Sequence, residues 1–259
     1  MSGAVGVFDS GIGGLTVASA IKKHLPNHKL IYFGDTLHLP YGDKSSENIQ
    51  NYIKAISAFL FEHECQHLVV ACNSASSVLP LVASLPSFGS VTNVIDPVVE
   101  CVIQDKSLKR IGVIGTKRTI QSQVYQRQLI QGNPSLEVFE LATPLLAPMI
   151  EEGFIHDSIA EKVIHEYLSE LPDIDALILG CTHYPLIRRE IDTYFGGKVK
   201  LFDAPNVVAN TLKKLVETKQ EGGSQDHFYV SDYTSSFEKT AQLFFGESIK
   251  LEKRILFNF

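Results

Sequence analysis

Short runs of apolar, mostly aliphatic residues alternate along this chain with longer amphipathic stretches, and that alternation limits the fold more than any other feature. The runs fall at residues 4–8, 30–33, 68–71, 110–114 and 176–179. Apart from Arg110 at the start of one run they are apolar, the pattern of strands covered on both faces in a parallel sheet. Between them, residues 15–25, 47–62, 158–168 and 186–195 repeat their apolar side chains at helical spacing. Strand and helix in turn predict an α/β fold with right-handed crossovers. The tail adds a helical pattern at 207–218, a polar break at 220–225, a strand-like 228–231 and a helix-like 235–245. It is expected to return to the first half of the molecule.

The runs also echo one another. VGVFD at 5–9 resembles IGVIG at 111–115, each followed by a hydroxyl residue, Ser10 or Thr116. LVVAC at 68–72 resembles LILGC at 177–181. Cys72 lies 65 residues beyond Val7 and Cys181 lies 68 beyond Val113. Buried strands share letters easily, but not matched order and spacing. The chain reads as two related α/β halves, each carrying a cysteine at the end of a strand.

With 259 residues and 44% hydrophobic content, the chain can fill one large core or two modest ones. A net charge of −6 argues against nucleic acid or an anionic membrane as partner. No segment nears the roughly 20 apolar residues of a membrane helix, and the apolar start is too short for a signal peptide. Four cysteines without CxxC spacing or a secretion signal suggest thiols rather than disulfides or zinc. The cytoplasm is the expected compartment.

Three strand ends carry polar chemistry. In open α/β sheets, ligands gather at the carboxyl ends of strands. Cys72-Asn73-Ser74 stands where a buried strand gives way to a helix, whose N-terminal N–H groups are expected to favour a thiolate and lower its pKa. Cys181-Thr182-His183 repeats the setting before Pro185, which suits a first helical turn, and places an imidazole two residues from the thiol. Asp9-Ser10-Gly11-Ile12-Gly13-Gly14 follows the first strand as a turn able to hold a small anion. It is not a dinucleotide fingerprint, because the third glycine position holds Thr16. Pro40-Tyr41-Gly42 looks like a turn, and Cys65 and Cys101 fall in helical patterns as packing residues.

Two thiols facing each other across a cleft suit a disulfide switch, or nucleophilic catalysis by one of them. A third use needs both. Inverting a carbon stereocentre by proton transfer requires a base on one face and an acid on the other. Donors aimed at the α-carboxylate must then stabilise the carbanion, and Asn73, Ser74, Thr116 and Thr182 are suitable. The residues reach a two-base epimerase or racemase without naming a substrate.

At these positions the sequence resembles the glutamate racemases of the aspartate/glutamate racemase superfamily. The motifs are GVFDSGIGGLTV at 6–17, YFGDTLHLPYGDKS at 32–45, VVACNSAS at 69–76, IGVIGTKRTIQS at 111–122 and LILGCTHYPLI at 177–187. The resemblance implies two pseudo-symmetric α/β domains facing a central cleft, residues 1–94 with 207–259 and residues 95–206. It implies cofactor-independent interconversion of L- and D-glutamate, with neither cofactor nor metal, supplying peptidoglycan synthesis. Cys72 would take the α-proton from D-glutamate and Cys181 from L-glutamate, assisted by Asp9 and His183, with Glu151 a further acid near the site. Asp9, Ser10, Tyr41, Gly42, Asn73, Ser74, Thr116, Thr182 and His183 would hold the substrate, and a homodimer is expected. Three departures stand out. Ser74 replaces the usual threonine but keeps its hydroxyl. Leu37-His38 stands where Ala-Arg often precedes the PYG turn. The first strand starts almost at Met1, so the N-terminal extension that links some members to activation by a cell-wall precursor is not expected. The rivals are an aspartate or hydantoin racemase of the same superfamily, a non-catalytic small-molecule sensor, and a redox switch.

Overall fold

A computed structural model describes residues 3–216 and 225–256 of the chain. Among the described residues ten strands form two sheets, and every strand pair is parallel. In chain order they are β1 (Ala4–Asp9), β2 (Leu30–Gly34), β3 (Cys65–Val70), β4 (Ser90–Asn93), β5 (Arg110–Gly115), β6 (Glu137–Ala142), β7 (Ala176–Gly180), β8 (Lys200–Phe202), β9 (His227–Val230) and β10 (Leu251–Lys253). The first sheet runs β10-β9-β2-β1-β3-β4 and the second β6-β5-β7-β8. The four strands β2-β1-β3-β4 therefore repeat in the second sheet as β6-β5-β7-β8, so the echo in the sequence is an echo in topology.

All five expected strands are present within a few residues of their expected limits. The apolar strands β1, β2 and β7 are buried along their whole length, because helices cover both faces of a parallel sheet. Helices Ser158–Leu168 and Ser235–Phe245 span their expected residues. The expected helix at 186–195 is instead a 3-10 turn, Tyr184–Ile187, leading into helix Arg188–Tyr194. Cys65 corrects the sequence reading: it opens β3 rather than lying in a helix. Helix Ser46–Glu62 ends at His63, and Glu64 at φ 62° turns the chain back toward the sheet. Cys101 does lie in a helix, Asp96–Gln104.

The tail rejoins the first sheet, where β9 pairs with β2 and β10 with β9. Its first helix, Ala204–Leu215, begins three residues before the expected pattern and packs against helix Leu15–His24. The expected polar break at 220–225 and the end of that helical pattern fall mostly outside the described residues. Among the described residues, no helix is long and apolar enough to cross a membrane.

Candidate active site

The cleft opens at the carboxyl ends of β1, β3, β5 and β7, two strands from each sheet. Its volume is about 190 Å³. Ser10 follows β1 and Thr116 follows β5; Cys72 lies beyond β3 and Cys181 directly after β7. All four line the cleft, together with Tyr41, Gly42, Asn73, Ser74, Glu151, Thr182 and His183. Asp9 is the one expected site residue that does not line it; it lies fully buried at the end of β1. Leu39, Pro40, Ala147 and Pro148 complete an apolar wall. No lysine or arginine reaches the cleft among the described residues, so an anionic group there must be met by neutral hydroxyl, amide and backbone donors.

Hydrogen bonds join the two halves around this space. The Ser74 and Thr116 hydroxyls are 2.8 Å apart, and Asn73 Nδ2 donates to the Tyr125 hydroxyl at 2.8 Å. Thr16 donates to the Thr182 carbonyl at 3.0 Å, and the Arg118 guanidinium donates to the Lys44 carbonyl at 2.8 Å. Gly13 lets the first half approach closely, since a Cβ there would overlap the His183 ring and the Thr182 hydroxyl.

Both thiols are buried and in no disulfide, but their surroundings differ. The Cys72 thiol donates to Ser10 Oγ at 3.4 Å and its sulfur accepts from the Ala75 backbone N–H at 3.4 Å. The expected low pKa is not found. Burial, reinforced by the Asp9 charge, pushes the Cys72 thiol up to about 12 against the opposing pull of those two hydrogen bonds. The helix it caps, Asn73–Val78, is short, and desolvation outweighs its dipole. Asp9 Oδ2 accepts from the Gly11 N–H at 3.0 Å, while Oδ1 is buried without a partner. Burial raises the Asp9 carboxyl above the ordinary carboxylate range despite the opposing His183 charge and backbone N–H bonds.

On the other side, His183 Nδ1 lies 3.5 Å from Cys181 Sγ and Nε2 lies 2.8 Å from Glu151 Oε1. Burial works against a charged imidazole, but its pairing with Cys181 and with the Glu151 carboxylate overrides that and raises His183 well above its usual range. An imidazolium donates to both neighbours, so Cys181, His183 and Glu151 form a continuous relay from the cleft. Phe244, in helix Ser235–Phe245, meets the His183 ring edge-on at 5.1 Å.

Sequence reasoning did not find Phe244, Tyr125 or Asp35. Asp35 is fully buried after β2 and accepts from the Tyr41 hydroxyl at 2.6 Å and the Ser231 hydroxyl at 2.7 Å. His38 Nδ1 lies 2.8 Å from the same carboxylate, and its ring stacks on Tyr52 at 4.4 Å. Tyr41 thus lines the cleft with its hydroxyl bound elsewhere, and Leu37-His38 is built into the same network. The acid in YFGDT was visible in the sequence, but nothing local showed that the tail would cover it.

A family model for Asp/Glu/hydantoin racemases matches residues 15–212. The chain belongs to this racemase family. Membership makes it an enzyme, an isomerase, and the resemblance to glutamate racemases spans nearly its whole length. The racemase is similar to the glutamate racemase of Aquifex aeolicus, 41% identical over 251 residues and 95% of each chain. Among solved structures it is similar to the Francisella tularensis glutamate racemase bound to D-glutamate, with TM-score 0.87, 37% identity and coverage of 98% of this chain and 97% of that one. A Bacillus anthracis glutamate racemase superposes with TM-score 0.90 at 34% identity, covering 97% of both chains.

Proposed function

We propose that this racemase interconverts L- and D-glutamate without a cofactor, using Cys72 and Cys181 as opposed acid and base. The observation that carries the reading is one cleft lined by two thiols with separate helpers, Ser10 and Asp9 on one side and His183 and Glu151 on the other. Near-complete alignment with glutamate racemases, one of them bound to D-glutamate, favours glutamate over aspartate or a hydantoin.

With L-glutamate bound, the Cys181 thiolate removes the α-proton while the His183 imidazolium holds the sulfur in place. The Cys72 thiol, kept protonated by burial, delivers its proton to the opposite face. One C–H bond breaks and one forms, and the negative charge passes from Cys181 to Cys72. In the reverse direction Asp9, with a raised carboxyl and an unpartnered oxygen, takes the Cys72 proton and the His183 imidazolium gives one to Cys181. The Cys72 thiolate then removes the α-proton of D-glutamate and the Cys181 thiol delivers its own to the other face. Ser74, Thr116 and Thr182 hold the α-carboxylate as charge moves into it, and Asn73, its amide nitrogen already donating to Tyr125, faces another part of the substrate. Ser10, Tyr41 and Gly42 hold the remainder of the substrate.

The cleft lies between two units, residues 1–94 with 207–259 and residues 95–206. The protein acts in the cytoplasm as a homodimer, and its product serves peptidoglycan synthesis. These assignments rest on the family resemblance. The test is incubation with L-glutamate in D2O without added cofactor, following optical rotation and deuterium at Cα. Loss of rotation with one deuterium incorporated is expected. No exchange with either enantiomer from folded protein would sink the reading, and exchange of L-aspartate alone would shift it to the rival substrate.

A further inference from the structure

Tyr125 reaches the site from behind. It lies in helix Val124–Gly132 of the second half, and its ring is buried beneath the cleft. Two contacts tie it to the two cysteine turns. Its hydroxyl accepts from Asn73 Nδ2 at 2.8 Å, one residue beyond Cys72. Its ring stands where a Cβ on Gly180, one residue before Cys181, would come within 3.3 Å of Cε2. A single side chain thus braces both turns.

Asn73 lines the cleft and is almost completely buried. With its amide nitrogen committed to Tyr125, its Oδ1 has no partner in the protein. A buried amide oxygen is costly to leave unmatched, and a donor arriving with the substrate satisfies it. The α-ammonium of an amino acid is such a donor, and the cleft holds few full charges to compete for it. Were the amide to turn over, its NH2 would meet the ammonium, donor against donor.

We propose that Tyr125 is a positioning residue, holding the Asn73 amide so that its oxygen accepts from the ammonium group of the substrate. The proposal rests on the amino-acid racemase reading above. Tyr125 touches no reacting atom, so its removal should weaken substrate binding more than the chemical step.

The test is a double-mutant cycle with kinetics in both directions. Tyr125→Phe keeps the ring and removes only the acceptor. It should raise KM for L- and D-glutamate by about tenfold while kcat changes less than about threefold. Asn73→Ala should raise KM at least as much, and the double variant should be no worse than Asn73→Ala within about twofold. An unchanged KM in Tyr125→Phe, or a penalty that multiplies onto that of Asn73→Ala, would overturn the proposal. Wild-type protein supplies a second measurement: by NMR, the Asn73 Nδ2 proton facing Tyr125 should exchange slowly with solvent, with and without saturating L-glutamate. Rapid exchange of that proton would overturn the proposal whether or not Tyr125→Phe folds. Failure of the parent reading is separately visible, as wild type that exchanges no α-proton.

Discussion

Cys72 and Cys181 follow corresponding strands, β3 and β7, yet the groups around the two sulfurs differ. Cys72 is kept a thiol by burial and the Asp9 carboxylate, against the pull of the Ser10 hydroxyl; Cys181 faces an imidazolium backed by a second carboxylate. The scaffold is repeated and the electrostatics are not. A two-base site acting on mirror-image substrates needs one acid and one base at any moment. Under the proposed two-base reaction, the asymmetry suits Cys72 to be the acid in the L-to-D direction.

The largest expected effects test whether both sides are needed. Cys72→Ala and Cys181→Ala should each lower racemisation by about 10³-fold or more. Each should retain α-proton exchange from only one enantiomer, D for Cys181→Ala and L for Cys72→Ala. Exchange from both enantiomers in either variant would break the comparison. His183→Asn comes next, with a loss of about 10²-fold. Enantiomers have equal free energy, so kcat/KM must fall equally in both directions. The asymmetry should instead appear as a larger α-deuterium isotope effect on kcat when Cys181 is the base, that is, from L-glutamate.

Asp9→Asn removes the charge that helps hold Cys72 protonated. Activity should fall about tenfold or more. Alkylation of Cys72 by iodoacetamide, followed by mass spectrometry, should begin at lower pH than in wild type. A buried carboxyl with a raised pKa costs stability when ionised, so the variant should melt higher by about 2–4 °C. Gly13→Ala, on the Cys72 side of the chain, should damage the Cys181 side by pressing on His183, at about 1–3 kcal/mol of stability by thermal unfolding.

The smallest effect is on pH. His183 and Cys72 both have raised pKa values in the fold, so each stabilises the protein fully below its ordinary pKa and loses that contribution as pH rises through its folded value. The melting temperature should therefore decline on the alkaline side, with the Cys72 part falling between about 9 and about 12. His183→Asn should flatten the earlier part of that decline only.

What the sequence disclosed followed from how each element is covered. β1, β2, β5 and β7 are apolar because helices enclose them, and they were legible. β4, β8 and β10 are only three or four residues long, and β6 is half-exposed, so none carries a continuous apolar signature. At the site, residues beside a strand end were readable from their neighbours in sequence. Asp35, Tyr125 and Phe244 act through contacts with segments remote in the chain, such as Ser231, Asn73 and His183. The direction of the Cys72 shift was misread because a helix start is visible in sequence, whereas the burial of the thiol and the carboxylate 63 residues earlier are not.

Phe244 against His183 also has a meaning in time. During synthesis the cysteines, the imidazole and Glu151 have all emerged while the ring that packs on His183 is still about 60 residues away, several seconds at about 5–20 residues per second. β9 and the Ser231 hydroxyl that holds Asp35 arrive in the same late stretch. A nascent chain therefore carries every residue that lines the cleft before the ring and hydroxyl that brace His183 and Asp35, and the site is completed from the far end of the chain.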